Sequence, residues 1–194
     1  MSTFQMYFQL GIEHITDLKG YDHILFLITL MAVYQIKHWK KILILITAFT
    51  IGHSTSLLVA SFSLISISKT WVEFLIPVTI LLTALANLFV PNAEKSKGHQ
   101  VYKYLMALGF GLIHGLGFSN YLKSLILNED SVAGPLFSFN LGIEVGQLMI
   151  VAAFVFLGII TMEIFKARAR DWNLVWSGAG MGVALVLMVE RFPV

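Results

Sequence analysis

The chain has 194 residues, 57% of them hydrophobic and 12% charged, with a mean hydropathy of +0.80. A soluble domain carries about 25% charged residues, so these values exclude one and point to a single polytopic membrane domain over residues 1–194. The net charge of +2 is too small for a nucleic-acid partner, and the absence of cysteine removes disulfides and thiolate metal sites.

The opening segment, Phe4 to His14, is too short and too polar to span a bilayer, and reads as an interfacial turn or short helix. No basic region, apolar core and small-residue cleavage site come together near Met1, so no cleaved leader is expected. Six apolar segments follow, to be compared with the roughly 20 residues a crossing helix needs. They run from Tyr21 to Ile36, Lys41 to Ser63, Trp71 to Val90, Val101 to Leu122, Gly134 to Phe165 and Trp172 to Glu190. The fifth is longer than one crossing requires. Between them lie Lys37 to Lys41, the polar stretch Pro91 to Gly98, and the charged stretch Lys166 to Asp171.

The expected fold is therefore an all-α transmembrane bundle of six spans plus the short N-terminal segment. Lys37, Lys40, Lys41, Lys95, Lys97, Lys103, Lys166, Arg168 and Arg170 alternate with Lys19, Lys69, Lys123 and Arg191 on the other side. Nine against four, by the positive-inside rule, puts both termini on the extracytoplasmic side of the plasma (inner) membrane.

Ionisable groups inside a bilayer are expensive and mark function. Of the six histidines, His38 and His99 fall in inner loops. The other four collect at one depth. At 1.5 Å per residue, His53 lies roughly 18 Å and His114 roughly 20 Å above the inner face, and Glu144 roughly 15 Å below the outer one. Asp22 and His23 open the first span, with His14 just before it. Asn140, one helical turn above Glu144, shares its face, and Gln147 lies near. The candidate metal ligands are thus His14, Asp22, His23, His53, His114 and Glu144. Imidazole and carboxylate suit nickel, zinc, copper and iron ions.

Each motif also has a plainer reading. Asp22 can merely cap the first span, a common role for Asp, with His23 snorkelling to the interface. His53, in Gly52-His53-Ser54-Thr55-Ser56, can be a satisfied packing residue. Four glycines in Gly109 to Ser119 cost about 1 kcal/mol each relative to alanine; they imply close helix packing or a broken helix beside a cavity, and both place His114 inside the bundle. Glu144 needs a proton, a cation or a strong donor. Glu73 reads as interfacial, Glu163 and Glu190 as solvated span ends, and Pro77 and Asn87 as kink or packing features. The inner half is poor in polar residues, Thr47 and Asn87 being the best, so no exit path is legible.

Taken together, His14 through Asp22-His23, Gly52-His53-Ser54, His114-Gly115 and the Asn140/Glu144 span resemble the HupE/UreJ family of small membrane proteins, over residues 11 to about 150. The His…Asp-His run is also similar to the first-span signature of nickel/cobalt permeases, at a longer spacing. Gly11-Ile12-Glu13-His14 replaces the family's commoner start ending in His-Pro. The resemblance implies a nickel permease; the residues themselves argue only for a divalent transition metal. The expected function is a divalent-metal permease whose partners are the ion and the lipid bilayer, with self-association left open. The alternative from another class is an intramembrane zinc-dependent hydrolase of a lipid or lipid-linked substrate, similar in its makings to the ceramidase and adiponectin-receptor superfamily. A metal-stabilised chaperone or sensor is a third reading.

Overall fold

A computed structural model describes residues 2–62, 68–89, 97–126 and 131–193, except for the side chains of Lys97 and His99. Seven α-helices appear among them: α1 (Thr3–Thr16), α2 (Asp22–Met31), α3 (Trp39–Ser61), α4 (Lys69–Phe89), α5 (Lys97–Ile126), α6 (Ala133–Glu163) and α7 (Ala169–Glu190). A single 3-10 turn, Ile36–His38, leads into α3. The described residues contain no strand.

Five helices, α3 to α7, are long and apolar enough to cross a membrane. The first expected span is shorter than its apolar run. Only Asp22–Met31 is helical, because the chain turns at Ala32 and is extended at Gln35. Ten residues rise about 15 Å, half of a bilayer core. Ser63, Val90 and Lys95, which entered the expected spans and loops, lie outside the described residues, as does the side chain of His99. The backbone of His99 belongs to α5 rather than to a loop.

The N-terminal segment is a full helix of 14 residues. Ser2 and Gln5 form a reciprocal capping box at its start, satisfying otherwise orphaned amides. Tyr7, Gly11 and Ile15 form its buried stripe, at the spacing of one helical face. That stripe lies on α6. A Cβ on Gly11 would collide with the Phe139 carbonyl, and one on Gly142 with the Phe8 carbonyl. The Ser138 hydroxyl donates to the Phe4 carbonyl, and Gly146 meets Ile12 and Ile15. This order, Phe4 with Ser138 through Ile15 with Gly146, makes α1 parallel to α6.

The glycines of α5 serve close packing. The helix is unbroken from Lys97 to Ile126. A Cβ on Gly111 would strike the Phe49 carbonyl, and one on Gly115 the Ser56 hydroxyl and His53 carbonyl. From the α3 side, Gly52 meets the Leu108 carbonyl in the same way. The α3–α5 interface is the most extensive in the bundle. Because of it, His53 and His114 are carried on two backbones in direct contact.

Two apolar clusters flank the histidines. One contains Phe26, Leu30, Phe49, Ile80 and Phe154; the other contains Tyr7, Ile15, Leu122 and Phe139. Burying such side chains contributes about 1.5–3 kcal/mol each in water, but between helices in lipid the same contacts act through packing.

Candidate metal centre

Four helices deliver four imidazoles to one place. α1 brings His14, α2 brings His23, α3 brings His53 and α5 brings His114. His53 and His114 are wholly buried, and His23 is 6% exposed. One ring nitrogen from each of His14, His23 and His53 lies within 4.8 Å of the other two. Ring centroids are 4.7 Å apart for His14 and His23, 5.7 Å for His14 and His53, and 5.1 Å for His23 and His114.

The hydrogen-bond inventory of these rings is incomplete in a telling way. Among the described residues, His14 Nε2, His23 Nε2, both nitrogens of His53 and His114 Nδ1 are buried without a partner. Leaving a buried polar atom unpaired costs about 1–3 kcal/mol, and such groups are few in folded proteins. Each neutral ring offers one lone pair, and one nitrogen from each of His14, His23 and His53 is close enough to the others to share a single cation. The remaining nitrogen of His114, Nε2, is 3.0 Å from the Thr79 hydroxyl. Burial lowers the His14 pKa well below its ordinary value, helped by the fields of His23 and His53 and opposed by Asp22. The neutral form, with a free lone pair, is thereby favoured. This helix is not among those long enough to cross.

Asp22 plays a different part from a helix cap. The cap position of α2 is Tyr21, which makes no side-chain bond. Asp22 Oδ1 accepts from the His23 amide at 3.1 Å and lies 3.4 Å from His23 Nδ1. Its other oxygen accepts from Arg191 Nη1 at 2.9 Å. A carboxylate beside one imidazole nitrogen fixes the ring so that the other nitrogen points into the site.

A cavity of about 260 Å³ adjoins the cluster, lined by His14, Asp22, His23 and His114 on one side and Glu73, Ile76, Gly117 and Arg191 on the other. Glu73, expected at an interface, stands on this cavity and pairs with Lys69 at 3.4 Å.

Glu144 lies apart from the cluster. It is half-buried and accepts from the Thr47 hydroxyl at 2.9 Å. Its neighbour Ile143 faces the core, and one residue turns a helix by about 100°, so Glu144 looks sideways toward α3. Gln147 accepts from Thr50 at 2.8 Å, while its Nε2 and Asn140 Oδ1 are buried without partners. α1 occupies the face of α6 at Gly142 and Gly146, and it is α1 that contributes an imidazole. Thr79 and Arg191 were not singled out from the sequence. Arg191 could have been suspected, being a charge at the C-terminal end of the last helix.

The protein-family model described as HupE / UreJ protein matches residues 1–191. Neither the curated proteins nor the solved structures contain a match to this chain.

Proposed function

The chain belongs to the HupE/UreJ family, and we propose that it is a membrane permease for a divalent transition metal, of which nickel is the foremost candidate. The observation that carries this reading is the approach of one ring nitrogen each from His14, His23 and His53, on α1, α2 and α3, to within 4.8 Å of one another, with the His114 ring of α5 beside them. His14, His23 and His53 are the proposed ligands. His114, steadied by Thr79, joins them as the ion moves inward. Asp22 acts by orienting His23, and Glu144 lies outside the ligand set.

In this reading the membrane is crossed six times, with both termini extracytoplasmic. α2 and its extended tail make the first crossing, and α1 stands on the outer side against the protruding ends of α5 and α6. Counting from their inner ends, His53 is roughly 21 Å up α3 and His114 roughly 25 Å up α5, in the outer half. The cavity then opens outward, and the ion is substrate rather than resident cofactor. Neutral imidazoles bind it; they need no proton to leave.

The test combines calorimetric titration of nickel, cobalt and zinc into purified protein with cellular uptake. His23→Ala and His53→Ala are expected to abolish both tight binding and accumulation. Unchanged accumulation in both variants rejects the permease.

A second reading keeps one observation on its side. Three imidazoles beside a roomy cavity also suit a hydrolytic zinc with an open water position. A zinc that remains bound through dialysis, with turnover of a lipid or lipid-linked substrate, would favour that enzyme.

A further inference from the structure

Beneath the histidines the bundle is closed. Phe26 and Phe49 stand 5.0 and 5.2 Å from the His114 ring, and Phe110 packs edge-on against Phe26 at 6.1 Å. Beside this aromatic plug, however, α4 carries a polar face. Thr79 touches His114; Thr83, one turn inward, donates to the Thr79 carbonyl at 2.8 Å; Asn87 follows one turn further. The spacing of four puts all three on one side of the helix, and all three are buried.

Asn87 enters a polar group. It donates to the Thr29 carbonyl at 2.6 Å and to Ser177 at 3.2 Å, and its own carbonyl accepts from Asn173. The Thr29 hydroxyl, fully buried, has no partner. Thr83 and Asn87 also line a small cavity of about 20 Å³ together with Phe110 and Lys103. That is room for about one water.

Lys103 is the anomaly here. It is 6% exposed, and among the described residues its ammonium has no hydrogen-bond acceptor. It lies over the face of Tyr34, 5.3 Å from the ring centre. Gln100, one turn away on α5, donates to the Tyr34 hydroxyl while its Oε1 is also buried and unpaired. An ionisable side chain at membrane depth without a structural partner is a candidate for function. Lys103 and Gln100 are three residues apart on α5, neighbours on one helical face.

Resting on the permease reading, we propose that the ion leaves the histidines inward along the Thr79–Thr83–Asn87 face of α4, and that Lys103 is the cationic barrier closing the inner end of that path. Hydroxyl and amide oxygens replace water around the moving cation. The ammonium repels it until the side chain swings to Gln100.

The experiment measures nickel flux into proteoliposomes with a trapped chelating dye, alongside calorimetric nickel binding in detergent. Thr83→Val and Asn87→Leu are expected to cut flux tenfold or more while the binding constant stays within threefold of the parent. Thr83→Ser is expected to restore flux. Lys103→Gln is expected to raise the initial rate severalfold. Parent-like flux in both Thr83→Val and Lys103→Gln overturns the inference, and so does loss of binding in step with flux, because the path would then be part of the site. A parent protein that binds nickel but never moves it ends the permease reading itself, and the path with it.

Discussion

Arg191 and Asp22, 169 positions apart in sequence, are joined by a 2.9 Å hydrogen bond between the end of α7 and the start of α2. The guanidinium closes α7 onto the start of α2. Through Asp22 it reaches His23, whose other ring nitrogen, Nε2, is buried in the group formed with His14 and His53. The pair belongs to the cavity wall, so a residue at the end of the last helix shapes a site whose ligands come from the first half of the chain and α5.

If Arg191 and Asp22 act on the metal through His23, removing either one loosens the same ring. Arg191→Gln and Asp22→Asn are each expected to weaken nickel binding by roughly tenfold or more, the usual effect of an orienting partner. The double variant is expected to be little worse than the worse single one, since both changes break one chain of contacts. Calorimetry on the three variants checks this; additive losses would mean that the two residues work separately.

Docking of α1 on α6 is what brings His14 into place. Gly142→Val puts side-chain atoms where the Phe8 carbonyl now sits, and a backbone neighbour cannot swing aside. Overpacking of this sort costs about 1–3 kcal/mol. The expected result is a folded bundle that has lost His14 from its ligand set, with nickel affinity near that of His14→Ala. Titrations of both variants, with thermal unfolding as the control on folding, make the comparison.

Gly111→Val attacks the other backbone-to-backbone interface, between α3 and α5. The Phe49 carbonyl occupies the needed space, and the apparent Tm should fall by several degrees, with His53 and His114 displaced together. A Tm equal to the parent's would show that the two helices can part freely.

Glu144 is bonded to Thr47, away from the imidazoles. Glu144→Gln is accordingly expected to leave the nickel binding constant within about threefold of the parent. A hundredfold loss in the same titration would place the carboxylate among the ligands.

Much of this architecture could be read from residue order alone. The five long helices follow from apolar runs broken by charge, and the histidines were brought to one level by counting rise per residue. What sequence left unread was lateral. Depth along a helix is set by position, but which neighbour a side chain faces depends on packing. Glu144 points at α3 and meets Thr47, six residues before His53, while α1 occupies the adjoining surface of α6. α1 read as an interfacial segment too short and too polar to span; its stripe of Tyr7, Gly11 and Ile15 gains meaning only from the glycines waiting on α6. Asp22 was legible as a charged group near the mouth, but its bond to Arg191 joins residues from opposite ends of the chain, and no local pattern announces such a bond. The polar face of α4 was hidden in the same way, since a threonine every fourth residue is common in apolar helices.

The central claim is that imidazoles from separate helices hold the ion. X-ray absorption spectroscopy on protein loaded with one equivalent of zinc or nickel tests it most directly. The account predicts at least three imidazole nitrogens around the ion, at about 2.0–2.1 Å for zinc, and one fewer in His53→Ala. A shell made only of oxygens, or one unaltered by that substitution, would contradict it.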